Sequence, residues 1–277
     1  MRILIRITVL ITLTMAAVLV YLALTSASRI TDKTELVTIK AAEFSYYPAG
    51  EYLHGNYPVN PPAAIVRFTD DFLIMKRQVS QAEYAACVSD GACKAPDRAR
   101  RAAASPDLPV VGISWVDATA YAAWLSIRTG YRYKLPSYAQ WVYAAGSAYK
   151  EDEVIKASDP NDPAQRWLAE YELEARRKTT GDIRLKTFGG YGVSSTGLLD
   201  IGGNVWEWTD TCSSRQLLDK DSVALSAPEA NCGIRVVAGR HRGYIADFIR
   251  DPRGGACSVG IPPTNLGFRL IRDASPK

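Results

Sequence analysis

Two acids on either side of a glycine pair stand out first. Asp200 and Glu207 flank Gly202-Gly203, with Trp206 and Trp208 close behind. Carboxylates beside a tight glycine turn suit a hard cation, which takes several oxygens and accepts backbone carbonyls as well as side chains. The same residues also suit a hydrogen-bonded turn without metal. The chain has only two histidines, His54 and His241, so a multi-histidine zinc or iron centre is excluded. Near His241 the segment from Arg235 to Arg253 interleaves Arg235, Arg240 and Arg242 with Tyr244 and Phe248. Arginine forks and aromatic rings make directional contacts to peptide or carboxylate groups. The alternative is a solvated loop whose arginines pair with Asp247 and Asp251.

Five cysteines leave one over after pairing. Cys87 and Cys93 flank an Asp90-Gly91 turn that brings their sulfurs together. Cys212 and Cys232 bracket a polar stretch, read as looped, and form the second expected pair. Cys257 then remains a thiol, either a small buried hydrophobe or, beside His241, a nucleophile with its base.

These residues need a scaffold and a compartment. The chain has 277 residues, 47% hydrophobic and 22% charged, enough for a full core. Its 33 Lys plus Arg against 29 Asp plus Glu give no electrostatic reason to expect nucleic acid. Arg2 and Arg6 precede an uncharged run from Ile7 to Leu24. That pattern predicts a signal-anchor, or a cleaved signal peptide, over residues 1–28. Positive charge before the run sends the remainder outward, to the periplasmic or extracytoplasmic face of the membrane, or into secretion if the signal is cleaved. Residues 29–35 read as linker and 36–277 as the folded part. Leu36-Val37-Thr38-Ile39, Ile65-Val66-Arg67-Phe68, Phe72-Leu73-Ile74-Met75, Ile234-Arg235-Val236-Val237 and Phe268-Arg269-Leu270-Ile271 read as strands, and the prolines of Tyr57 to Pro62 as loop. Ser80 with Glu83, Ser114 with Asp117 and Ser137 with Gln140 carry capping-box signatures of helix starts. A further helix opens near Pro163, with Trp167, Leu168, Tyr171 and Ala175 on one stripe and its acids and arginines on solvated faces. The fold class is therefore α+β, one compact domain rich in irregular structure.

The stretch Leu198-Leu199-Asp200-Ile201-Gly202-Gly203-Asn204-Val205-Trp206-Glu207-Trp208 resembles the signature of the formylglycine-generating enzyme family, also called the sulfatase-modifying factor family. Pro48-Ala49-Gly50-Glu51-Tyr52-Leu53-His54-Gly55, Val79-Ser80-Gln81-Ala82-Glu83-Tyr84, Pro109-Val110-Val111-Gly112-Ile113-Ser114-Trp115 and Asn265-Leu266-Gly267-Phe268-Arg269 are similar to further segments of it, in the same order. The resemblance implies a variant of the C-type-lectin fold. It also implies a structural calcium held by the side chains of Asp200 and Glu207 and the carbonyls of Gly203 and Val205. It places Arg235, Arg240, His241, Arg242, Tyr244 and Phe248 in the region of the family's substrate groove. Oxidising members bind Cu(I) through two cysteines shortly after an Arg-Gly-Gly-Ser strand. Here the matching strand is Arg235 to His241, and no cysteine lies between Cys232 and Cys257. Soft thiolates suit Cu(I) and other side chains do not replace them, so copper is not expected. The resemblance then implies an exported, anchored accessory, maturation or protein-binding factor acting on another exported protein or peptide; one branch of the family accompanies copper nitrite reductases. The alternatives are a divergent oxidase modifying a protein, peptide or small amine, and a lectin-like ligand-binding module.

Overall fold

The computed structural model describes residues 31–96, 104–149, 162–179, 184–239, 242–250 and 266–276. The expectations for residues 1–28, Arg240, His241 and Cys257 lie outside these. Among the described residues no helix is long and apolar enough to cross a membrane.

The three capping signatures open helices α1 (Gln81–Ser89), α2 (Trp115–Thr129) and α3 (Tyr138–Ala145). In each, the serine side chain accepts from the amide three residues on, and that residue's side chain accepts from the serine N–H. Two free amides are satisfied at once, worth about 1 kcal/mol per cap. Helix α2 buries Ala118, Tyr121, Ala122 and Leu125 and ends on Gly130 at φ 80°, a left-handed cap that a side chain would strain. Helix α4 (Pro163–Thr179) departs from the expected polarity. Trp167, Leu168 and Tyr171 face solvent, and Leu173 is buried instead. The Arg166–Glu170 ion pair takes the shielded side, 12% and 23% exposed, because the two charges neutralise each other at one helical turn.

Strands β1 (Leu36–Ile39), β2 (Glu43–Tyr46), β3 (Glu51–His54), β4 (Tyr57–Val59), β5 (Ala64–Arg67), β6 (Phe72–Met75), β7 (Tyr131–Lys134), β8 (Trp206–Leu218), β9 (Glu229–Ala238), β10 (Gly243–Ala246), β11 (Leu266–Gly267) and β12 (Ile271–Pro276) build three sheets. One has the order β1-β6-β12-β7; another runs β10-β9-β8-β3-β4 with β11 parallel to β8; β2 and β5 pair alone. Three expectations need correction. Tyr57 to Pro62 is not all loop, because Pro58 fits the outermost strand β4, where its missing N–H leaves no ladder bond unmade. Cys212 and Cys232 sit in the two longest strands rather than in a loop, and the β8–β9 register shifts on both sides of Cys212. Phe268-Arg269-Leu270 breaks the last strand in two, since Arg269 is fully buried and drawn to Glu207.

Both expected disulfides are present, Cys87–Cys93 and Cys212–Cys232. The interior is two apolar clusters. One gathers around Trp208, Phe268 and Tyr121, the other around Trp141, Ile74 and Ile201. The result is a single mixed α/β domain whose clusters meet at the Gly-Gly turn and the start of β8.

Candidate functional site

The Asp200-to-Trp208 turn is the most constrained part of the molecule. Asp200 and Asn204 both hold positive φ, 55° and 63°, a region these two residue types tolerate best among those with a side chain. The Asp200 carboxylate accepts from the amides of Gly189 and Tyr191, each at 2.7 Å. Its carbonyl accepts from Gly203 N–H, and the Gly203 carbonyl accepts from Val205 N–H. A side chain at Gly203 would meet the Tyr191 ring at 2.8 Å, so glycine is required there. Asn204 ties the turn to both the N–H and the carbonyl of Lys186.

Glu207 lies at the centre, fully buried. One carboxylate oxygen accepts from Arg269 Nε at 2.7 Å and from Trp141 Nε1 at 2.9 Å. The other accepts from Arg269 Nη2 at 2.8 Å and Gln78 Nε2 at 2.7 Å. Arg269 spends its remaining donors on the carbonyls of Met75, Lys76 and Leu199. A bidentate pair with every lone pair and proton used is the form in which burying two charges is tolerable. Trp141 belongs to one apolar cluster and Trp208 to the other, so Glu207 pins the two together.

This arrangement does not fit a calcium ion. Calcium asks for six to eight oxygens turned toward one point, and here all four carboxylate oxygens of Asp200 and Glu207 already accept from protein donors. The guanidinium of Arg269 supplies the positive charge that Glu207 needs. Gln78 Oε1 is the one buried side-chain oxygen beside the turn without a donor, and one oxygen makes no cage. Gln78 and Arg269 escaped the sequence reading as partners of the acids. The terminal Gly-Phe-Arg motif carried a signal for Arg269; nothing in the sequence marked Gln78.

The residues expected in a groove are mostly committed to the fold. Arg235 stacks on the Trp115 ring at 3.8 Å and donates to the carbonyl and carboxylate of Asp210. Arg242 donates to the carbonyls of Tyr47 and Pro48. Tyr244 accepts from Gly50 N–H at 2.9 Å. Arg250 pairs with Asp117 and donates to the Ala95 carbonyl. The acids that meet Arg235 and Arg250 are thus Asp210 and Asp117, distant in sequence, rather than Asp247. Phe248 differs: it is 74% exposed. The backbone N–H of Trp115 donates to the Asp247 carbonyl, so the segments that carry exposed Val116 and exposed Phe248 are joined there. Phe248 and Val116 are thus exposed apolar side chains, whereas the Arg235 side chain is only 11% exposed and paired with Asp210.

Comparison with known proteins agrees with this fold and motif order. The chain is 30% identical over 177 residues to "Formylglycine-generating enzyme" of Streptomyces coelicolor, covering 61% of this chain and 54% of that protein. It is 29% identical over 177 residues to "Inactive C-alpha-formylglycine-generating enzyme 2" of Bos taurus, covering 58% and 54%. The chain thus spans about half the length of these curated relatives. Among solved structures, that of PvdO from Pseudomonas aeruginosa matches with a TM-score of 0.56 at 22% identity, over 89% of this chain and 98% of that one, a likeness of fold. A family model described as the sulfatase-modifying factor enzyme 1-like domain matches residues 24–274, and the chain belongs to that family.

Proposed function

We propose that the chain is a non-oxidase member of its family, an exported accessory or maturation factor that binds another exported protein. One observation carries this reading. Of five cysteines, four are joined as Cys87–Cys93 and Cys212–Cys232. A single thiol, Cys257, is left, and a two-thiolate Cu(I) centre needs a pair. The existence of an inactive relative named as such is consistent with a family scaffold retained without the oxidation chemistry. Two disulfides favour an oxidising compartment, as does the apolar N-terminal run, which on this reading anchors the domain at the extracytoplasmic face of the membrane. The proposed contact is centred on exposed Phe248 and Val116, suited to an extended peptide segment carrying an apolar or aromatic side chain. A copper nitrite reductase is the first partner to test.

The reading is tested by titrating thiols on the denatured, unreduced chain and then adding Cu(I) to the folded one. One thiol per chain and no copper retained after dialysis is the expected result. Three thiols, or stoichiometric copper lost on Cys257→Ser, would return an oxidase to consideration and remove the basis of this reading.

A further inference from the structure

Asp32, expected in a loose linker, is fastened to the domain. Its carboxylate accepts from Tyr133 Oη at 2.6 Å, from Arg272 Nη1 at 2.8 Å and from Thr34 N–H at 3.0 Å. Its side chain is only 7% exposed. Tyr133 lies on β7, the outermost strand of its sheet, and Arg272 on the neighbouring β12, stacked over the Tyr131 ring at 4.1 Å. The chain therefore enters the domain at one defined place, the β7–β12 edge.

The apolar run ends at Leu24. Eight residue steps separate it from Asp32, a reach of under about 30 Å even fully extended. A domain of this size has a radius of gyration of about 18 Å and is about 45 Å across, so so short a tether cannot carry the opposite side of the molecule to the bilayer. The acids at this edge already hold cations: Asp32 has Arg272 and Asp273 has Lys134. Lys33 and Arg132 stand exposed beside them.

We propose that the β7–β12 edge is a membrane-facing surface, with Lys33 and Arg132 set against anionic lipid headgroups, and that the Asp32 clamp fixes the orientation of the domain on the bilayer. This rests on the anchored reading given above. It would leave the partner-binding face oriented relative to the membrane rather than free to tumble.

The test uses the full chain in nanodiscs of phosphatidylcholine and phosphatidylglycerol, and the same chain with a long Gly-Ser insert between Ala27 and Ser28. Both are labelled with a water-soluble lysine-acylating reagent and read by mass spectrometry, Lys220 on the β8–β9 hairpin serving as reference. With the native tether, labelling of Lys33 relative to Lys220 is expected to be about fivefold slower, as for a lysine held at an anionic surface, and the insert should abolish the difference. Equal labelling with either tether overturns the membrane-facing edge while leaving the anchor intact. Recovery of a soluble chain beginning near residue 28 overturns the anchored reading, and this surface with it.

Discussion

Glu207 shows how much of this molecule rests on single side chains. Replacing Arg269 by Met leaves a carboxylate buried without its partner, and the expected loss is about 3–5 kcal/mol of stability in urea denaturation. Removing calcium, in contrast, should change nothing. Dialysis against a chelator is expected to leave the melting temperature within about 1 °C, since a 1 kcal/mol change in a domain this large would move it by only about 2–4 °C, and elemental analysis should find no bound calcium. A stoichiometric ion would show that the Arg269–Glu207 pair is not what holds the turn. Glu83 offers a pH signature. Burial acts to raise its pKa, but the bidentate bond from Arg77 and the N–H of Ser80 outweigh it, so the carboxyl titrates below its usual range. A depressed folded pKa adds stability above the unfolded value, and that stability is lost as pH falls through the folded one. Glu83→Gln should therefore cost about 1–2 kcal/mol at pH 7, and its urea curve should converge on the parent's below about pH 4. A gap that persists in acid would assign the loss to packing.

At the level of elements, the caps and the strand pairing carry different weights. Ser114→Ala removes the hydroxyl that accepts from Asp117 N–H at the start of α2, while the Ser114 N–H still donates to the Asp117 carboxylate, and about 1 kcal/mol should disappear. The loss stays local because α2 is otherwise fixed by its buried face. Cys212–Cys232 clips β8 to β9 across irregular register; Cys232→Ser should lower stability by about 2–4 kcal/mol. Chemical denaturation under non-reducing conditions checks both, and an unchanged midpoint for the cysteine variant would mean that the strand pairing alone suffices. Helix α4 breaks the rule that its own stripe suggested. Its spacing was right and its direction was reversed, because periodicity identifies which residues share a face but not what that face meets.

For the whole molecule, the proposed binding face and the entry of the chain define one orientation. Phe248→Ala removes an exposed ring with no part in either apolar cluster. Binding to a captured exported partner should weaken by about tenfold, the scale of a single aromatic contact, while the melting curve stays unchanged. Unaltered binding would move the contact elsewhere on the surface. Tyr244, which looked equivalent in the sequence, is instead expected to fail as a binding probe, since it holds the Gly50 turn.

Much was decided by local sequence. The capping boxes, the Gly130 stop, the Cys87–Cys93 bridge and the family motifs are legible because each depends on residues within a few positions of one another. The absence of a second free thiol also follows from composition once the pairs are known. What the tertiary structure decided is the partner of the charges that pair across the fold. Whether Glu207 meets a cation or Arg269, whether Arg235 reaches out or lies on Trp115, and whether Asp32 is linker or clamp depend on residues 60 to 240 positions apart. Spacing along a chain does not encode such distances, because long-range contacts arise only when packing of the two clusters brings separate segments together.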